Sequence, residues 1–377
     1  MLEKGRTCAE IDLGNLVQNL RAIQRHVAPS RVIPVVKADA YGHGALPVAR
    51  AVAHAGFGLI AVAQFEEAMT LRNSGIVNPI LIFGRLMPGE LPEAVAAGFH
   101  ISLFGSQDLD WLEKADIKGP ATVHVNLETG MGRVGVIPEA DPEFFGRLTA
   151  SQRCCWEGLY SHFSTADEAD KGYANLQLRR FNDFLSKMRT WPRRPAMIHM
   201  ANSGGVLDMP ESRFDAVRTG IIMYGHYPST ETSRSIPLKP VMAFKTYVAH
   251  VRTLPGEHPV SYGRRWVTEK ATRIAVIPVG YADGLPRAMT NRGEVLINGS
   301  RYPMVGTITM DQTMIHVGDG PVAVGDDVLI WGDSAAGCLS LLEIAEKIGT
   351  IPYELTCGVS PRVERTHVLP PEGSDRR

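Results

Sequence analysis

Eight short apolar runs, spaced by longer amphipathic stretches, set the tightest constraint on how this chain folds. They lie at 32–36 (VIPVV), 58–62 (GLIAV), 80–83 (ILIF), 100–103 (HISL), 121–127 (ATVHVNL), 157–161 (EGLYS), 197–200 (MIHM) and 214–218 (FDAVR). Runs this short suit strands of a parallel sheet covered on both faces. The stretches at 45–55, 65–74, 106–114 and 174–189 have helical character. Eight strands with helical crossovers predict an α/β fold, a (β/α)8 TIM-like barrel.

The rhythm breaks at 228–235 (PSTETSRS), which reads as a linker. Strand-like segments follow at 241–254, 272–279, 294–305, 312–318 and 327–331, with turns such as NRGE and GDGP and one helix near 340–348. The expected organisation is a barrel over 1–235, a predominantly β domain over 236–369 and a disordered tail over 370–377.

A net charge of -1 gives no field for nucleic acid or an anionic membrane. The start, MLEKGRTCAEIDL, lacks the apolar stretch of a signal peptide, and no run approaches the roughly 18 apolar residues of a membrane span. A cytoplasmic enzyme is expected, without nucleic-acid or membrane partners. The five cysteines, Cys8, Cys154, Cys155, Cys338 and Cys357, form neither a disulfide framework nor a CxxC spacing. No metal site is expected, and Cys154 and Cys155 are expected to be buried thiols.

Barrel chemistry gathers at the C-terminal ends of the strands. There the sequence offers Lys37 in VVKADAYGHG, Arg133 in ETGMGRVG, His162, Asn202 with Ser203, and Arg218 before Thr219-Gly220-Ile221. The loops ANSGG and RTGI offer hydroxyl and backbone N–H donors to a phosphate. A lysine at an apolar strand end is held toward its neutral, nucleophilic form. Lysine, phosphate cradle and no metal motif together suggest a Schiff-base cofactor enzyme.

VVKADAYGHG resembles the pyridoxal-phosphate lysine signature of alanine racemases of fold-type III. The resemblance runs through AEIDL (9–13), ETGMGRVG, SHFSTADE (161–168), HMANS (199–203), VRTGIIMYG (217–225), PVSYG (259–263), PVGYADGLPR (278–287) and VGTITMDQ (305–312). It implies that Lys37 holds pyridoxal 5'-phosphate and serves as the base for D-alanine, with Tyr262 the base for L-alanine. Tyr41, Asn202, Ser203, Gly220 and Ile221 would bind the cofactor's phosphate side. His162 would lie near the ring and Arg218 would donate to the ring nitrogen. Arg133 and the Met310 backbone N–H would take the substrate carboxylate. Tyr262 and Met310 would come from the second subunit of a homodimer with shared sites, and D-alanine for peptidoglycan would be the purpose.

Arg218 has a consequence of its own. A guanidinium cannot hand a proton to the ring nitrogen, so the cofactor is a weaker electron sink and transamination is disfavoured. Two positions depart from the family. Asn126 stands where many relatives carry a lysine, often carbamylated, that orients the carboxylate-binding arginine; broader racemases for serine or lysine also tend to have asparagine there. Pro361 stands where a phosphate-side tyrosine is expected. A barrel decarboxylase of basic amino acids and a non-catalytic pyridoxal-phosphate carrier are the other readings; VKADAYGHG and VSYG oppose the first, the long C-terminal region the second.

Overall fold

The computed structural model describes residues 7–334 and 337–369, so the expected tail at 370–377 lies outside the described residues. All eight expected barrel strands form. They are β2 (Arg31–Pro34), β3 (Ile60–Val62), β4 (Ile80–Ile82), β5 (His100–Leu103), β6 (Ala121–Asn126), β7 (Cys154–Tyr160), β8 (Met197–His199) and β9 (Ala216–Thr219). They pair in parallel in the order β2-β9-β8-β7-β6-β5-β4-β3. The barrel shuts through a single parallel bridge, Val35 to Ala61, one residue past β2.

The apolar runs form strands because both faces are covered: every residue of β3 and β4 is fully buried. The helix Leu13–Val27 shows the complementary pattern, burying Leu13, Leu16, Leu20, Ile23 and Val27 along one face. Asp12 caps it, accepting a hydrogen bond from the Asn15 N–H at 2.8 Å. Cys154 is buried as expected, but Cys155 is exposed, because successive residues of β7 point to opposite faces.

The first described strand lies outside the barrel. Strand β1 (Cys8–Asp12) pairs antiparallel with β10 (Met242–Tyr247) and parallel with β20 (Glu364–Val368). Also in this sheet are β15 (Glu294–Ile297), β16 (Ser300–Pro303), β18 (Asp327–Ser334) and β19 (Gly337–Leu339). A second sheet holds β11 (His250–Leu254), β14 (Thr272–Ile277) and β17 (Thr313–His316), and β12 (Pro259–Val260) pairs β13 (Trp266–Val267). This is the mostly-strand C-terminal domain. One apolar core runs from the barrel helices through Ile11, Met242, Phe244 and Trp331. Among the described residues no helix is long and apolar enough to cross a membrane.

The junction between barrel and second domain depends on Gly225. Its φ is +88°, and a Cβ there would sit 1.9 Å from the Lys239 carbonyl oxygen. We expect Gly225→Ala to destabilise the protein by at least ~2 kcal/mol, combining left-handed strain with a backbone clash. Chemical denaturation checks this; an unchanged midpoint would show that the junction gives way easily.

Candidate active site

Lys37 leads out of the barrel at its closing bridge. The four residues after it, Ala38 to Tyr41, all have left-handed backbone with φ between 52° and 56°. Such a conformation costs L-residues roughly 1–2 kcal/mol each, so the turn must be held from outside. Glu67 accepts the Ala38 N–H at 2.6 Å with one carboxylate oxygen and the Ala63 and Gln64 N–H groups with the other. Asp39 accepts the Ala45 N–H at 2.7 Å. His43 Nδ1 lies 3.0 and 2.9 Å from the carbonyls of Ala40 and Tyr41; carbonyls only accept, so Nδ1 carries the proton. The C-terminal elements complete the clamp. Arg365 donates to the Gly42 carbonyl and His367 to that of His43, at 3.0 and 2.9 Å. A Cβ on Gly42 would meet the Thr356 carbonyl oxygen at 2.1 Å.

The turn opens onto a cavity of about 540 Å³ at the C-terminal rim of the barrel. Lys37, Tyr41, Arg133, His162, Asn202, Ser203, Arg218 and Gly220 all line it. One end is a hydroxyl and N–H cradle. The Ser203 hydroxyl accepts the Gly220 N–H at 3.3 Å, and Asn202 caps the turn that carries Ser203 by accepting the Gly205 N–H. Gly220 brings its backbone close to Tyr41, since a Cβ there would lie 2.5 Å from the phenol oxygen. Ile221 is fully buried behind this wall, so only its backbone could contribute. Burial, then the charge of Arg133, lowers the pKa of Lys37 and favours the neutral amine.

The far wall is built around Arg218, which is only 5% exposed. Its Nη2 donates to the carbonyls of Ser161 (2.7 Å) and Met200 (3.0 Å) and to His162 Nδ1 (3.1 Å). Its Nη1 donates to His199 Nδ1 (3.0 Å) and the His199 carbonyl (3.1 Å). Burial pulls its pKa down to about 10, still far above neutrality, so the guanidinium stays charged. Because arginine only donates, His162 accepts at Nδ1 and holds its proton at Nε2. The Nε–H of Arg218 has no hydrogen-bond partner among the described residues, while the residue lines the cavity.

The chain as a whole is similar to known proteins. The description "Alanine racemase, N-terminal domain" matches residues 11–228, and "Alanine racemase, C-terminal domain" matches 241–367. The chain belongs to the alanine racemase family. It is therefore an enzyme of the isomerase class. It is 40% identical to "Alanine racemase 2" of Caldanaerobacter subterraneus over 96% of this chain and 95% of the relative. It is also 40% identical to an alanine racemase of Symbiobacterium thermophilum, over 95% and 96% of the two chains. The solved alanine racemase of Streptomyces lavendulae superposes with a TM-score of 0.91 at 36% identity, covering 97% of this chain and 98% of that one.

Two expected residues stand apart from the cavity within one alanine racemase chain. Tyr262 is 74% exposed in a short turn, Tyr262–Arg264, and Met310 is 51% exposed. Neither lines the cavity that holds Lys37. Position 361 carries proline as expected, and a tyrosine that the sequence reading did not single out, Tyr353, lines the cavity. It sits on the helix Pro352–Gly358 and places its ring 5.9 Å from that of Tyr41. The signal was present in PYEL, eight residues before Pro361, but the helix carrying it was not foreseen. Glu67, Tyr160 and Cys357 were also missed; the latter two line the cavity and Glu67 holds the turn.

Burial keeps six histidines, at the site and beyond it, in the neutral form. The pKa values of His43, His100 and His226 are depressed to about 3, 4 and 4, and those of His124, His162 and His199 fall well below the ordinary 6.5. Between these values and 6.5 the unfolded chain binds protons that the native state does not. Stability is therefore full above pH 6.5 and falls as pH drops below it, by up to ~1.4 kcal/mol per pH unit for each such histidine. We expect a markedly lower urea midpoint at pH 5 than at pH 7.5. Equal midpoints would contradict burial of these rings in the neutral form.

Proposed function

We propose that this chain is a cytoplasmic, pyridoxal-phosphate-dependent racemase that interconverts L- and D-alanine with two bases, and that its D-alanine supplies peptidoglycan. The observation that carries this reading is the shared cavity. A lysine held toward its neutral amine, a hydroxyl and N–H cradle, and an arginine N–H without a partner among the described residues face one space. The alanine racemases similar to it support alanine as the substrate.

The residues fit the cofactor. Lys37 would hold it; Tyr41, Ser203, Asn202, Tyr353 and the Gly220-Ile221 backbone would take its phosphate, in a cradle that a side chain on Gly220 would fill. The open Arg218 Nε–H suits an unprotonated ring nitrogen, and His162 suits the ring's flank. When bound, pyridoxal phosphate supplies a conjugated system that spreads the negative charge left at the substrate Cα after proton loss.

The protein's own groups do the rest. Arg133 makes no hydrogen bond or ion pair with a described residue and faces the cavity, which suits a carboxylate. Lys37, as a free amine, removes or returns the Cα proton on one face. Racemisation needs a second group on the opposite face, because one fixed base reaches only one side. Tyr262 serves there from a second copy of the chain, with the Met310 backbone N–H beside Arg133. The exposure of both side chains in a single chain supports this homodimeric arrangement. His162, fixed by Arg218 with its proton at Nε2, can stabilise the phenolate that such a base requires.

Asn126 in the cavity wall favours a second reading, a racemase that also accepts serine or lysine. Chiral analysis of products from L-alanine, L-serine and L-lysine separates the two. D-alanine is expected, and no D-isomer from any of the three would sink the proposal. Tyr262→Phe should lower racemisation by at least ~100-fold, the scale of positioned acid–base catalysis, while Cα deuterium exchange into D-alanine persists through Lys37. Loss of both would assign Tyr262 another role. Separately, inactive Lys37→Ala and Tyr262→Phe chains, once mixed and re-equilibrated, should recover roughly a quarter of wild-type activity, because each mixed dimer has one intact site. No recovery would mean that the two residues act within one chain.

A further inference from the structure

Three histidines that the reaction above does not use run in a line through the barrel. His199 Nε2 lies 3.0 Å from His124 Nδ1, and His124 Nε2 lies 3.0 Å from His100 Nδ1. They come from the C-terminal end of β8, the middle of β6 and the first residue of β5, so the line leads from the cavity to the opposite end of the barrel. Its upper end is Arg218, which donates to His199 Nδ1.

That first bond fixes all the others. Arginine has no acceptor, so His199 Nδ1 must accept and its neutral ring carries the proton on Nε2. That proton points at His124 Nδ1, which therefore accepts, and the same step repeats at His100. Every imidazole turns its lone pair toward the guanidinium. Hydrogen bonds in such a chain strengthen one another.

The surroundings are built for these rings. Barrel interiors are ordinarily filled by branched apolar side chains, whereas His124 and His199 are fully buried here. A Cβ on Gly158 would lie 2.0 Å from His124 Nδ1, so only glycine leaves room for that ring. The pairing of β6 with β7 also slips by one residue there, with Val123 opposite Trp156 and His124 opposite Gly158. The Tyr160 ring stacks on His199 at 4.9 Å and 10° and lies under the Arg218 guanidinium at 5.3 Å.

We infer that His199, His124 and His100 are positioning residues for Arg218. Together they form a one-way hydrogen-bonded spine that holds the guanidinium, with no carboxylate of the described residues in contact, so that its Nε–H faces the cavity. This inference rests on the reading of Arg218 as the ring-nitrogen donor.

Nitrogen NMR of the full chain labelled with ¹⁵N-histidine tests the spine without depending on turnover. At pH 7.5 all three imidazoles should be neutral with the proton on Nε2. An imidazolium, or a proton on Nδ1, at any of them overturns the inference. His100 lies remote from the cavity, so its variants test positioning in the cofactor-loaded enzyme. His100→Leu removes the last acceptor and should lower kcat about tenfold, the scale of one hydrogen bond in a charged network, with KM for alanine changed by less than about twofold. His100→Asn keeps an acceptor near the Nδ1 position and should restore kcat. Unchanged kcat in His100→Leu, or equal loss in both variants, overturns the inference. Wild-type protein that takes up no pyridoxal phosphate would defeat the cofactor reading instead, and the NMR result would still decide whether the spine exists.

Discussion

A permanent positive charge is buried at Arg218, and among the described residues no carboxylate neutralises it. An unpaired ion in an apolar interior is prohibitively costly, and such a charge is ordinarily compensated by an anion. Here the compensation is spread over dipoles: carbonyls from Ser161, His199 and Met200, ring nitrogens from His162 and His199, and the face of Tyr160. Much of the barrel's upper interior is arranged to supply them. Strand β8 ends on the His199 carbonyl that faces the guanidinium, and Ser161 and Met200, each one residue past a strand, add theirs. Burial first, then the charge of Arg218, keeps the histidines beside it neutral. A carboxylate would have been the simpler partner, but it would have competed for the donor that the cavity needs.

The second constraint acts on the opposite wall. Lys37 stands at the head of four left-handed residues, none of them glycine, and local preference cannot maintain such a turn. Contacts from Glu67 in the barrel and from Thr356, Arg365 and His367 in the C-terminal region hold it. The C-terminal region thus shapes the lysine's surroundings in its own chain. In the dimer proposed above it also offers Tyr262 to the neighbouring one.

The barrel was legible because its strands are apolar on both faces and recur at regular intervals; no other arrangement buries eight such runs so economically. The groups at the strand ends were legible for the same reason, since fixing the strands fixes the rim. What escaped had the opposite character. Strand β20 (ERTHV) is half-exposed and polar, and β1 (CAEID) precedes a helix with no turn signal between them. The left-handed turn has no sequence signature because its stability is tertiary. His100 reads as an ordinary packing or surface residue until β5 and β6 are set side by side. Tyr353 is hard to single out in the sequence because its helix is short and begins with proline.

The pairing of β1 with β20 has a consequence for how the molecule is made. Cys8 lies opposite Glu364 and Asp12 opposite Val368, so nearly the first and last described segments are neighbours in one sheet. During synthesis the barrel strands emerge in order and can assemble early. The opening strand can pair with β10 once that strand is made, but its other edge stays open until residues 364–368 follow. A chain interrupted late in translation would then carry an assembled barrel with an unfinished sheet edge and a lysine turn lacking Arg365 and His367. The shape of the lysine turn is thereby tied to the presence of β20, through Arg365 and His367.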